Sequence, residues 1–561
     1  MTTRKGTDVL DDARGSGRRL GRWLALALTT FALVAGVAAC GESVNDSGGD
    51  GGDKAASESD RGDTLIIAVA GDPETLDAEW GQAARANETI KNLYAQWVKY
   101  ETKDSGDGYE IADLPNVEGE VLESIDQADD GTVTMKVRAD AKFPDGSPIT
   151  ADDLIFKVKR SLEMQAGSIF DFNIIGLTKM SQVKKVSDSE IQFKLPKASP
   201  IVGPMLRDQD AGIVDTKLVK EHMTDDDPWG TEWVARNAAP TGAYVISENQ
   251  PGSRLVLKAN PEYWGEEPYF KEVILQIVPS PDERMLLLQE GKVDIAEDLS
   301  IEAAARLKDA DGVNVRSVPS ISQDLLGFVM DKEPFDDPLV RQAVAYAIPY
   351  EDLASGVLQG EAKTPKGVWP QNSIWFEDAE WPYAHDPEKA KELLQQAGKA
   401  EGVKFSVEIK DTDADAAALA VPIQTALKDV GIDMQIEELS AAQFTENIGK
   451  KSMQAWIQTN LGSYVDDPYY QTFLWFGTES VLNWFKYSNP KVDAALEKFS
   501  TVLPEDEKRA LAKEVQTELN NDLPTISLGE PNYLLPMRDD IEGFLYEPDG
   551  LVTYRTLKRA E

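Results

Sequence analysis

The alternation of apolar and polar residues becomes regular from Asp63 onward. Leu65–Ala70 is a short apolar run closed by Gly71-Asp72-Pro73, which predicts a buried strand. In residues 87–98, Ile90, Leu93, Tyr94, Trp97 and Val98 recur at helical spacing, which predicts a helix. Thr132–Arg138 alternates strictly, with Val133, Met135 and Val137 on one face, as a half-buried strand does. A turn at Pro144-Asp145-Gly146 follows, and Thr150 with Asp153 spells a capping box. The helix it opens carries Leu154, Ile155, Val158 and Leu162 as its apolar stripe. Asp386-Pro387 starts another helix, which Gly398 stops. Strand-like Val403–Ile409, a helix over 415–430 and strand-like Ile432–Leu439 then give the β–α–β order of a parallel, helix-covered sheet. The class is α/β. With 561 residues, the body needs more than one lobe.

Residues 1–40 follow another pattern. Six basic and three acidic residues precede an apolar run, Trp23 to Ala39, and the segment ends in Val37-Ala38-Ala39-Cys40. This is the layout of an export signal, and the run is short for a membrane span. Residues 41–62 are rich in Gly, Ser and Asp and cannot bury enough surface to order themselves, so they read as a tether. The whole chain carries −41; the signal carries +3, so the remainder carries −44. Such a charge argues against a nucleic-acid partner. One Cys and two His exclude a Cys/His zinc site, an iron–sulfur cluster and an internal disulfide, and leave oxygen-ligated metals open. No GxSxG or HExxH motif is present. A two-carboxylate hydrolase finds no support, because 98 acidic residues make some suitable pair inevitable.

The run Asp130-Gly131-Thr132, Phe143-Pro144-Asp145-Gly146, Thr150-Ala151-Asp152-Asp153 resembles a signature of the family 5 extracellular solute-binding proteins of peptide and nickel importers. Further matches follow in family order: Glu74-Thr75-Leu76-Asp77, Asn260-Pro261-Glu262-Tyr263-Trp264, Val340-Arg341-Gln342-Ala343-Val344 and Asp386-Pro387-Glu388-Lys389. Two departures stand out: Asp77-Ala78 replaces Asp-Pro, and Thr241-Gly242-Ala243-Tyr244 lacks the usual Gly-Pro-Tyr ending. Cys40 resembles the lipidated cysteine of a bacterial lipoprotein. The resemblance implies two lobes joined by two hinge strands near Leu325–Met330 and Thr525–Gly529, with an extra domain on the first lobe. It divides the chain into a signal (1–40), a tether (41–62), lobe one (63–105, 235–322 and 525–561), the extra domain (106–234) and lobe two (323–524).

The function implied is a lipid-anchored, monomeric receptor that closes on a peptide or similar solute and presents it to the membrane permease of an ABC importer. Closure follows when ligand contacts both lobes only in the closed form. No cofactor and no catalytic group is needed. A sugar-binding receptor of the same fold, or a sensor without a permease, stays open. The expected ligand contacts are Gln82, Ala84, Trp456, Asn460, Gly462, Tyr464 and Asp466. In peptide-binding relatives an Asp four residues before the loop proline pairs with the α-ammonium; here, counting back from Pro468, that position is Tyr464. Gln82 stands where such relatives often place a Glu. Asp466 could substitute if the loop shifts. These departures lead to the expectation of a cleft that holds its ligand by aromatic and neutral polar groups.

Overall fold

The computed structural model describes residues 62–81 and 83–560. The export signal with Cys40, the tether up to Arg61 and Gln82 lie outside the described residues. Among those described, no helix is long and apolar enough to cross a membrane.

The body is mixed α/β, built on one twelve-stranded sheet that passes through both lobes. Its lobe-one part centres on Thr64–Val69, the predicted apolar strand, paired in parallel with Glu272–Ile277. Its lobe-two part contains Val403–Lys410 and Ile432–Leu439 in parallel register, linked by the helix Ala414–Asp429. This is the β–α–β unit expected from the sequence. Two antiparallel neighbours join the halves. Gln323–Phe328 pairs with the long strand Thr525–Arg538, Asp324 opposite Gly529 and Gly327 opposite Thr525. The same long strand pairs through Asn532–Arg538 with Val313–Pro319 of lobe one. Crossing therefore occurs where the chain runs from Pro319 to Gln323 and from Gly529 to Asn532.

A separate four-stranded sheet holds Thr132–Val137 between Leu122–Gln127 and Glu190–Lys194. The helix Ala151–Met164 carries the expected capping box at Thr150 and Asp153. Val133, Met135 and Val137 of the strand and Leu154, Val158 and Leu162 of the helix meet in one core. The sequence-derived helix over 87–98 differs: the helix spans Ala84–Leu93, and Tyr94 turns extended at φ −115°, ψ 132°. Its hydroxyl donates to the Leu76 carbonyl at 2.8 Å, and Trp97 Nε1 donates to the Ala211 carbonyl at 2.9 Å. Tertiary hydrogen bonds thus hold both rings outside the helix, and Val98 opens a strand instead.

Buried ion pairs fasten the extra sheet to lobe one. Arg160 forks onto Asp77 at 2.7 and 2.6 Å, and Lys157 bonds Glu79 at 2.7 Å. All four side chains are fully buried. Losing one partner would strand its mate, at a cost of about 3–5 kcal/mol.

Gly327 lies opposite Trp456 in the sheet. A Cβ at Gly327 would stand 2.4 Å from the Trp456 ring, so the crossing strand approaches the indole only because residue 327 has no side chain. Gly327→Ala should destabilise the body by about 1–3 kcal/mol through overpacking, read as a lower urea midpoint at unchanged slope. An unchanged midpoint would contradict this packing.

Candidate functional site

A cavity of about 350 Å³ lies between the lobes, against the two crossings. Helix Ala84–Leu93 presents Ala84, Arg85 and Glu88 from lobe one, beside Glu297 and Asp298 of the loop after Ile295–Ala296. Lobe two supplies Asp415, in the first turn of helix Ala414–Asp429, Asn460 near the end of strand Ala455–Leu461, and Tyr464 from the loop that follows. Ser320, Ser322 and Asn532 line it from the crossing segments.

The chemistry of this wall is mostly anionic. Arg85 bonds Glu88 at 2.9 Å, pairs with Glu297 and stands 3.4 Å from Asp298. Burial alone would lower the Arg85 guanidinium; Glu297, Glu88 and Asp298 outweigh it and hold it well above its usual range. Burial pushes Glu297 up to about 8 in spite of Arg85. Arg85 Nε and Glu297 Oε1 have no hydrogen-bond partner. Asp549 also faces the cavity, but Lys91 at 3.1 Å and Arg207 at 2.5 Å already serve it. Setting Asp549 aside, four carboxylates, Glu88, Glu297, Asp298 and Asp415, face one guanidinium.

Asp415 also ties the lobes. Its carboxylate accepts the Ile301 N–H at 3.1 and 3.3 Å, from the first residue of the lobe-one helix Ile301–Arg306. Burial pushes Asp415 up to about 6. Behind it, Asp324 on the crossing strand is fully buried and accepts the Asn460 N–H at 2.9 Å. That bond holds Asn460 at φ 51°, a conformation non-glycine residues seldom adopt. The second Asp324 oxygen has no partner. Burial, with Asp415 and Asp413 nearby, pushes Asp324 up to about 8.

The expected contacts divide. Ala84, Asn460 and Tyr464 line the interlobe cavity. Tyr464 is half-buried and its hydroxyl is pushed upward chiefly by burial, so it stays neutral. Gly462 lines a neighbouring cavity of about 40 Å³ in lobe two, with Gln323, Trp369 and Trp475. Two residues expected at the cleft are turned away from it. Trp456 is fully buried in the lobe-two core, stacked on Phe485 at 5.3 Å, because both faces of its strand are covered. Asp466 is spent inside lobe two: it accepts Ser373 Oγ at 2.5 Å, Ile374 N–H at 2.8 Å and Gln471 Nε2 at 3.0 Å. Asp467, its neighbour, caps helix Pro468–Phe476 and pairs with Lys508. Sequence reasoning missed Glu297, Asp298 and Asp415. No local motif distinguishes them among the many acids; only the fold brings them to one wall.

A carboxyl pushed from about 4 to about 8 by folding binds its proton more tightly in the native state. Stability therefore falls as pH rises from about 4 to about 8 and is level above. Asp324→Asn keeps the acceptor for Asn460 and removes the titration. The variant should lose less stability than the parent between pH 5 and pH 8 in urea unfolding. Equal losses would contradict the buried carboxyl.

Residues 116–481 match the bacterial extracellular solute-binding proteins, family 5 Middle. Among curated relatives, a probable D,D-dipeptide-binding periplasmic protein of Escherichia coli is 27% identical over 492 residues, covering 87% of this chain and 92% of that one. A dipeptide-binding protein of the same organism is 25% identical, covering 77% and 84%. The fold is similar to that of an ABC transporter-associated periplasmic binding protein of Helicobacter pylori, solved with the peptide STSA. That likeness has a TM-score of 0.78 at 20% identity, covering 89% of this chain and 98% of that one. The match extends over more than half of the chain, and the protein belongs to the family 5 bacterial extracellular solute-binding proteins.

Proposed function

We propose that the protein is the lipid-anchored receptor of an ABC importer and that it captures a short peptide, or a similar solute bearing a free amine, between its lobes. The single observation that carries this reading is the interlobe cavity, walled by both lobes and lined by four carboxylates against one guanidinium. A cationic group placed there would be attracted by Asp298 and Asp415 and would favour the ionised form of Glu297, and the Arg85 guanidinium can receive a carboxylate or carbonyl of the same ligand. Relatives named as dipeptide-binding proteins support a ligand of this class. Gln82 and Tyr464 withdraw charge from the position where peptide-binding relatives place it. Glu297, Asp298 and Asp415 supply it from other segments, so the neutral cleft expected from sequence gives way to an acidic one. The limits of lobe one, the extra domain and lobe two follow the division given above. No bond is made or broken in this cycle: ligand stabilises the closed form, and the permease reads it.

Calorimetry with paired free-amine and acetylated di- and tripeptides tests the reading. Free-amine peptides should bind at least tenfold tighter, about 1.4 kcal/mol, and Asp298→Asn should erode that preference. Equal affinities, or sugars binding where peptides do not, would contradict it.

Anchoring rests on Val37-Ala38-Ala39-Cys40 after the apolar run. A single acyl chain holds a protein to a membrane only marginally, so stable anchoring calls for several chains on Cys40. Cells fed an alkyne fatty acid should label the parent and leave Cys40→Ala unlabelled; equal label would contradict lipidation there.

A further inference from the structure

Three carboxylates converge inside the lobe-one side of the body, in a cluster that the cleft reading does not use. Asp171 lies on the short helix Ile169–Ile174, while Asp208 and Asp210 flank and enter the helical turn Gln209–Ala211. One oxygen from each lies within 4.8 Å of the other two. Asp171 is 5% exposed and Asp208 4%. Asp171 Oδ2 and Asp210 Oδ1 are buried and receive no hydrogen bond. Gly167 makes the room: a Cβ there would stand 3.0 Å from Asp210 Oδ2. Gln209, itself buried, carries another oxygen without a partner on the same turn.

The nearby cations are committed elsewhere. Lys157 Nζ donates to Glu79 at 2.7 Å and to the Asp210 carbonyl at 2.6 Å, not to a cluster carboxylate. Arg160 is held by Asp77, and Arg207 by Glu547 and Asp549. Counting Asp77, Glu79, Asp171, Asp208 and Asp210 against Lys157 and Arg160 leaves an excess of three negative charges in a buried network. Buried charge in excess of its partners is costly unless protons or a metal ion neutralise it.

We propose that Asp171, Asp208 and Asp210 form a calcium site. The donors are all hard oxygens, come from two chain segments, and can bind in one- or two-oxygen fashion, as this ion prefers. Two of the three carboxylates, on residues whose oxygens lie within 4.8 Å of one another, each carry a buried oxygen that accepts no hydrogen bond. The ion would pin helix Ile169–Ile174 to the turn 209–211. Phe170 of that helix packs against Tyr470 at 6.2 Å and Phe473 at 6.3 Å on the lobe-two helix Pro468–Phe476. Calcium thus fixes the lobe-one face onto which lobe two closes.

The test uses the full-length protein stripped with EDTA. Calcium chloride at 1 mM should raise the thermal midpoint by about 2 °C or more, with a dissociation constant in the micromolar range, whereas equal magnesium should do much less. Asp171→Asn and Asp210→Asn should each weaken calcium at least tenfold. In EDTA their midpoints should equal or exceed that of the parent, because a buried uncompensated charge is gone. Terbium luminescence gives a second readout on the parent alone. Tyr464 and Tyr470, which sense these carboxylates, should sensitise it, and calcium should quench it by displacement. No calcium-dependent shift, an equal shift in both Asn variants, an equal response to magnesium, or no displaceable terbium signal would each overturn the site.

Discussion

The pairing of Gln323–Phe328 with Thr525–Arg538 is the constraint on which the rest of the structure depends. It makes one sheet of two lobes, and it places two chain crossings side by side. Everything that faces the cleft is positioned from it. Asp324, on the first crossing strand, holds Asn460 near the end of the strand that leads into the loop of Tyr464. Ser320, Ser322 and Asn532 lie in the crossings themselves and form the cleft floor. Two adjacent antiparallel strands can twist at their midpoints without breaking their ladders. That is the mechanical requirement for lobes that open and close about a fixed axis.

Across this hinge, carboxylates outnumber the cations beside them. Asp415 reaches from lobe two to a lobe-one helix N-terminus, where the helix dipole and a free N–H favour an anion. Glu297 and Asp298 share Arg85 on the other wall. These carboxylates outnumber the one guanidinium beside them, so a cationic guest is favoured there. The same logic, applied to Asp171, Asp208 and Asp210, gives an ion a structural role at the face where the lobes meet.

The sequence made the regular parts of the fold legible. The strands over 403–410 and 432–439 and the helix between them lie within a residue or two of their expected limits, because apolar residues alternate along both strands and the helix carries its N-cap. The helix at 84–93 ends before its apolar spacing does, since Tyr94 and Trp97 answer to distant carbonyls that no local pattern shows. The site was legible only in part. The loop before Pro468 could be located, and Asn460 and Tyr464 with it. Its inward and outward faces could not be told apart, so Trp456 and Asp466 were assigned to the wrong side. The acidic wall is assembled from residues more than a hundred positions apart, such as Asp298 and Asp415, and that juxtaposition exists only after folding.

Small-angle scattering of the purified protein, with and without a saturating free-amine dipeptide, tests the central claim most directly. The account predicts a smaller radius of gyration with peptide, as lobes that open about the paired strands are drawn together. An unchanged radius at proven saturation would contradict capture by closure about this hinge.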